Sequence, residues 1–342
     1  MKFDVVVGNP PYHQSKENTR DNPIYNYFYD LSEKIGGKYC LISPARFLFN
    51  AGSTNKSWNK KMLSDKHIKV EFYEQDSSKL FPNTDIKGGV AILYRDNSKN
   101  FRAIGDEIGT FTVFEELSSI VRKVTNLTID TLDTIISAQG IYKFTTKIYK
   151  DYPDLRSKLS TNTVGTGVFS TLNNIVFFVN KPNDGYEYIA ILGRYENKRV
   201  IRYIRKDYIN EPYGFDKWKV ILPKANGSGS LGEVLSSPTV GKPLLGFTQT
   251  FISIGAFNTQ IEAENALKYL KSKFARTMLG ILKITQDNLK DKWKKVPIQS
   301  FISPSDIDWD KDITEIDKQL YLKYNLDENE INFIESNVKE MN

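Results

Sequence analysis

Hydrophobic and polar positions in the first third of the chain follow two periods in turn. Residues 3–7 (Phe-Asp-Val-Val-Val) form a β-branched run that stops at Gly8. A continuous apolar run of this kind predicts a strand buried on both faces, as in a parallel sheet. A chain that opens on such a central strand is expected to have something preceding it. Over 24–35, Tyr25, Phe28, Leu31 and Ile35 share one helical face, with Asp21 or Asn22 as cap, Pro23 in the first turn and Gly36-Gly37 as the stop. Residues 38–44 read as a second strand, 58–63 as a short helix, 68–73 as a third strand, and 90–94, after Gly88-Gly89, as a fourth. The alternation predicts an α/β fold with helices packed on a largely parallel sheet. Ligands of such sheets sit beyond the C-terminal strand ends, so the loop after Val7 is a natural site.

Beyond Asp96 the pattern changes. Leu117, Ile120, Val121 and Val124 give 114–124 an amphipathic helical stripe. Residues 127–243 are rich in turns and strands, with strands expected at 175–179, 188–192, 200–204 and 219–222. The longest helix is expected over 259–285, with Ala263, Leu267, Leu270, Phe274, Met278 and Ile281 inward. Two tail helices follow, one carrying Ile313, Ile316, Leu320 and Tyr324, the other Ile331, Ile334 and Val338. There is no internal repeat.

The loop after the first strand reads Asn9-Pro10-Pro11-Tyr12. Two consecutive prolines fix the backbone and remove two N–H donors. The Pro10 carbonyl is then free to face a cleft, Asn9 adds a side-chain carbonyl beside it, and Tyr12 adds an aromatic face. Two acceptors and a platform suit a planar amine. The plain alternative is a proline-rich turn after a strand.

The stretch FDVVVGNPPY resembles motif IV of the amino-methyltransferases that use S-adenosylmethionine. Its longer context resembles the adenine-N6 DNA methyltransferases of bacterial restriction–modification systems, of the TaqI-like, type IIG sort. Residues 37–50 (GKYCLISPARFLFN) resemble that family's next strand, and 79–96 its last conserved motif, whose aromatic residue maps to Phe81. Residues 248–257 and 305–324 also look like this group. Glutamine-N5 protein and guanine-N2 RNA methyltransferases share the tetrapeptide, but the long basic region that follows suits duplex DNA better.

This resemblance implies the C-terminal half of a Rossmann-like methyltransferase sheet, followed by a mixed α/β, strand-rich target recognition domain with a helical tail. The implied domains are 1–110 (partial catalytic domain), 111–126 (linker helix), 127–302 (target recognition) and 303–342 (acidic tail). It implies methyl transfer from S-adenosyl-L-methionine to N6 of a flipped adenine in double-stranded DNA. Asn9, Pro10, Pro11 and Tyr12 would be catalytic, Tyr12 and Phe81 would stack on the base, and Asn9 would touch the cofactor. The family's glycine-rich cofactor turn lies before this strand, where only eight residues stand here. A truncated product, an expressed fragment and one part of a split enzyme, partnered by a second chain with the cofactor half, are all open. A DNA-recognition subunit without catalysis of its own is the alternative function. Residues 227–232 (GSGSLG) fit G-x-G-x-x-G, but Ser236-Ser237-Pro238 leaves no room for the helix that should follow.

Charge sharpens this picture. The net +6 hides local polarity: 194–224 carries +5, 268–295 carries +7 and 303–342 carries −7. Arg199, Arg202, Tyr203, Arg205 and Lys206 interleave basic and aromatic groups as DNA contact requires, and Lys271, Lys273 and Arg276 extend the candidate surface. One cysteine and two histidines exclude a disulfide and make no zinc set, and Asp306 and Asp308 suit helix capping better than a metal. No metal, no membrane partner and a cytoplasmic location are expected.

Overall fold

A computed structural model describes residues 3–14, 22–105, 108–128 and 130–341, which form two compact units, Met1–Arg122 and Lys123–Asn342. The first contains β1 (Val6–Gly8), α1 (Tyr25–Ile35), β2 (Lys38–Pro44), α2 (Lys56–Ser64), β3 (Ile68–Glu74) and β4 (Val90–Asp96). Tyr39, Leu41 and Ser43 alternate inward along β2. They meet Tyr25, Tyr29 and Ser32, the buried stripe of α1, and the Tyr29 and Ser43 hydroxyls share a 2.9 Å hydrogen bond. Tyr25, Tyr29, Tyr39, Phe47 and Trp58 make an aromatic core. Truncating any one of the larger rings there would cost about 3–5 kcal/mol.

The strands lie in the order β1-β2-β4-β3. β1 runs parallel to β2, while β4 is antiparallel to both β2 and β3. The sheet is therefore mixed rather than largely parallel, with β1, β2 and β3 pointing one way and β4 reversed. Gly88 and Gly89 prepare that reversal with φ of 87° and 78°. A Cβ on Gly89 would lie 2.3 Å from the Glu74 carbonyl oxygen, so only glycine fits. The first strand covers Val6–Gly8 rather than 3–7 and is not buried on both faces: among the described residues it is paired on one edge only, and Val7 is 74% exposed. Leu31 is also exposed, because the inward stripe of α1 runs through Tyr25 and Tyr29 instead. Asn22 and Pro23 belong to a two-residue ladder with His13 and Gln14 and do not cap α1 (Asp21 lies outside the described residues).

Helix α3 (Glu115–Leu127) contains the division between the units and buries Leu117, Ile120, Val121 and Val124. In the second unit, β5 (Tyr188–Tyr195) and β6 (Lys198–Arg205) form an antiparallel hairpin. β7 (Trp218–Pro223), β8 (Thr239–Gly241), β9 (Leu245–Phe247) and β10 (Phe251–Phe257) follow. They assemble as two three-stranded sheets, β9-β5-β6 and β8-β7-β10. Residues 175–179 are not a strand: Val176 and Phe177 are both buried, and the amides of 175, 176 and 177 all turn back to the Leu172 carbonyl.

The long helix expected over 259–285 is two helices, α4 (Gln260–Lys271) and α5 (Lys273–Gly280). Ser272 breaks it by accepting from the Ala275 amide, and Asp317 accepts from the Lys273 and Phe274 amides. Asp317 belongs to α6 (Ile313–Lys323), which with α7 (Glu328–Asn337) packs on α4 and α5. Phe274 and Tyr324 stack there at 4.9 Å. The tail thus completes the helical layer of the second unit. Among the described residues no helix is long and apolar enough to cross a membrane.

Candidate functional site

The loop Asn9–Tyr12 leaves the C-terminal end of β1 and is pinned at both ends. Upstream, Gly8 is in register with Leu41 of β2. Downstream, the Ile24 amide donates to the Tyr12 carbonyl at 3.0 Å, next to the ladder of His13–Gln14 with Asn22–Pro23. Asn9 and Pro11 are exposed, Pro10 is buried and Tyr12 is half-buried. Among the described residues the Pro10 carbonyl accepts no hydrogen bond. The Tyr12 hydroxyl is enclosed and unpartnered. Burial pushes its pKa up; the neighbouring Asn9 side chain opposes the shift without making a hydrogen bond of ordinary geometry. Tyr12 is thus an aromatic ring beside two acceptors that make no hydrogen bond of ordinary geometry among the described residues.

Phe81 lies at the same end of the sheet, because β1 and β3 point the same way. Its turn is rigid: Asp76 caps Ser77–Lys79, the Phe81 amide donates to the Ser77 carbonyl at 2.8 Å, and Thr84 returns to the Phe81 carbonyl. The ring is half-exposed and has no ring partner among the described residues. Two strands separate β1 from β3, so the strand ends stand about 14 Å apart at the usual spacing. No hydrogen bond or ring contact joins Phe81 to Asn9–Tyr12 among the described residues.

The basic candidates divide sharply. Arg199 donates to the carbonyls of Ser236 and Ser237, and Arg202 lies over the Tyr195 ring at 5.4 Å. Neither forms an ion pair among the described residues. Half-buried Tyr203 is in register with Ala190. Arg205, by contrast, is matched by Asp207 and Asp151 and stacked on Tyr186, and Lys206 is matched by Glu187 and Glu211. Lys271 is half-buried, and its carbonyl accepts from Arg276 Nε. Lys273 is held by Glu335 at 2.6 Å. Arg276 is only 2% exposed and donates to the carbonyls of Lys271, Gly232 and Lys339. Lys273 and Arg276 therefore leave the candidate DNA surface. Lys273 is joined to the acidic tail by an ion pair, and Lys268 and Arg276 by bonds to its backbone carbonyls.

The GSGSLG loop already contains an anion. The Ser228 and Gly229 amides donate to the Glu233 carboxylate at 2.8 and 3.0 Å, and Lys283 pairs with it. Burial works against this charge, but Lys283 and the two amides hold Glu233 below the usual carboxylate range. Asp306 pairs with Lys323, Asp308 accepts from the Asp310 amide, and the cap of α6 is Asp312 rather than either of them. Among the described residues no His, Cys, Asp and Glu group suited to a metal is present.

A family model described as Eco57I restriction-modification methylase matches residues 1–81. The resemblance is to restriction–modification methylases. The matched segment holds the whole Asn9–Tyr12 loop and ends on Phe81. Over 149 residues the chain is 27% identical to an uncharacterized adenine-specific methylase of Mycoplasma pneumoniae, covering 42% of this chain and 35% of that protein. Two solved restriction enzymes are weakly similar overall. The type IIG restriction endonuclease BpuSI matches 91% of this chain and 45% of its own, at TM-score 0.34 and 11% identity. The type IIL restriction-modification enzyme MmeI, solved in complex with DNA, matches 98% and 56%, at TM-score 0.41 and 9% identity. The chain spans about a third of the methylase's length and about half of each solved chain.

Proposed function

We propose that this methylase-like chain presents a flipped adenine of double-stranded DNA for N6 methylation, with S-adenosyl-L-methionine as the methyl donor. The observation that carries the proposal is the loop: a Pro10 carbonyl with no hydrogen bond among the described residues and an exposed Asn9, side by side at the end of a parallel strand. The lone pair of an adenine amine is delocalised into its ring. Asn9 Oδ1 and the Pro10 carbonyl would accept its two hydrogens, drawing the nitrogen towards tetrahedral geometry and directing its lone pair outwards. Preorganised acceptors of this kind stabilise charge as it develops, without reorganising. The base must leave the duplex to reach them. Tyr12 would cover one face of it and Phe81 the other. The strand order β1-β2-β4-β3, with β4 reversed, supports reading the first unit as the C-terminal half of a methyltransferase sheet. A cytoplasmic location accords with this reading.

The described residues do not make a whole site for S-adenosyl-L-methionine. The G-x-G-x-x-G loop is filled by Glu233, and Asn9 is the one residue of the loop assigned to face the donor. The edge of β1 that is unpaired among the described residues, with Val7 exposed, favours a second reading: a recognition subunit that methylates only when another chain supplies the cofactor half. One experiment separates the readings. The chain is incubated with methyl-labelled S-adenosylmethionine and unmethylated genomic DNA, and the nucleosides are then resolved. Labelled N6-methyladenine supports the first reading, and duplex binding without label supports the second. Label on cytosine, or neither binding nor label, overturns both.

Tyr12 provides a graded check. Tyr12→Phe keeps the ring and removes an unpartnered hydroxyl, so DNA affinity should be retained. Tyr12→Ala should weaken binding of the flipped base by about 1–3 kcal/mol, read with a fluorescent adenine analogue. Equal behaviour of the two variants would exclude stacking.

A further inference from the structure

The hairpin of β5 and β6 holds two arginines against each other. Glu196 and Asn197 have φ of 49° and 62°, a two-residue turn, and the register this imposes sets Arg194 directly opposite Arg199. Like charges so placed destabilise a sheet. No carboxylate offsets them: among the described residues neither arginine forms an ion pair, and Glu196, in the turn itself, pairs with neither. Instead their guanidinium groups are aimed by carbonyls. Arg194 donates to Asn197 O at 2.9 Å, and Arg199 donates to Ser236 O and Ser237 O at 2.5 Å while lying 5.5 Å over the Phe251 ring. On the opposite face Arg202 has a buried Nε with no acceptor. The other end of the same strand contrasts with this, since carboxylates match both Arg205 and Lys206.

We propose that the hairpin tip is a phosphodiester clamp, in which Arg194 and Arg199, side by side on one face, together grip the backbone of duplex DNA. This rests on the reading of the chain as a DNA methylase and goes beyond it by locating the backbone contact. Each guanidinium keeps N–H donors beyond those it gives to carbonyls, and arginine matches phosphate in a two-bond geometry. A phosphate between the two arginines turns their repulsion into a shared attraction. A two-stranded ribbon is also narrow enough for the major groove. Charge counting along the sequence included Arg194 in the basic stretch 194–224 but did not single it out, because a count does not show which residues face each other across the hairpin.

The test is fluorescence anisotropy of the full chain on labelled duplex DNA, between about 50 and 200 mM salt. Arg194→Ala and Arg199→Ala should each weaken binding about tenfold and lower the salt slope by about 1. Lys318→Ala, which removes the same charge from the acidic tail, serves as control and should leave both unchanged. Arg194→Ala should also melt no lower than wild type, because it relieves a like-charge pair; this keeps the test valid if Arg199→Ala folds poorly. Unchanged affinity and slope in Arg194→Ala, with wild type binding normally, would overturn the clamp and leave the methylase reading standing. Tighter binding to duplex RNA than to DNA would overturn the assigned ligand. A wild-type chain that binds no duplex would overturn both, whereas the labelling assay judges the methylase reading independently.

Discussion

Asn9→Ala should lower methyl transfer to adenine about 100- to 1,000-fold, in any preparation of this chain that labels DNA, while leaving folding and duplex affinity close to wild type. The magnitude is that of losing one preorganised hydrogen-bonding group aimed at developing charge, about 2.7–4 kcal/mol. Asn9 is exposed, so its removal opens no cavity. The Pro10 carbonyl remains, since the backbone on either side is fixed by pairing with β2 and by the Ile24 amide. One acceptor would then hold one hydrogen of the amine and leave the nitrogen free to stay planar. Single-turnover labelling together with a melting curve distinguishes this from unfolding. If Asn9→Ala transferred methyl groups at the wild-type rate, the amide would have no part in the chemistry.

The loop was legible because its geometry is written locally. Pro10 and Pro11 restrict their own backbone, and the strand before them ends at Gly8 whatever surrounds it. The fourth strand was legible from its apolar run after Gly88-Gly89, but not its reversed direction, which the close approach of Gly89 to Glu74 accompanies. What escaped the sequence was set at a distance. The break between α4 and α5 depends on Asp317, a residue of the tail that accepts amides 43 and 44 positions earlier. The role of Arg276 depends on the Lys339 carbonyl, 63 positions away. Helical periodicity continues through both positions and cannot register a partner that lies elsewhere in the chain. The same holds for Leu31, which fits the apolar period of α1 yet is exposed, because the stripe that meets β2 is set by Tyr29 and Ser43. Charge counting found the basic and acidic stretches but could not tell which lysines face solvent and which are already paired with the tail. That distinction needed the ion pair of Lys273 with Glu335.

Lys283→Met should destabilise the second unit by about 3 kcal/mol, the lower end of what breaking a buried pair costs. The Lys283 side chain is 3% exposed and donates to the Asn226 and Thr285 carbonyls as well as to Glu233. Methionine fills the space but leaves those acceptors unserved and the carboxylate without its cation. The Ser228 and Gly229 amides still hold Glu233, which keeps the loss from being larger. For a unit of this size the melting temperature should fall by roughly 6–12 °C at neutral pH. Acidity should narrow the gap. Glu233 has a folded pKa below its ordinary 4.5, so its contribution is complete above that value and disappears as pH falls through the folded one. Wild type should therefore lose stability over that acidic range, while Lys283→Met, whose Glu233 is less strongly held, should lose less. Melting curves at pH 7 and near pH 4 test both points. Coincident curves at pH 7 would mean that the glycine-rich loop is held by its amides alone. In the double variant Glu233→Gln with Lys283→Met neither partner of this pair is left as an unmatched charge, and part of the lost stability should return. That recovery would identify the uncompensated carboxylate, rather than lost packing, as the source of the effect.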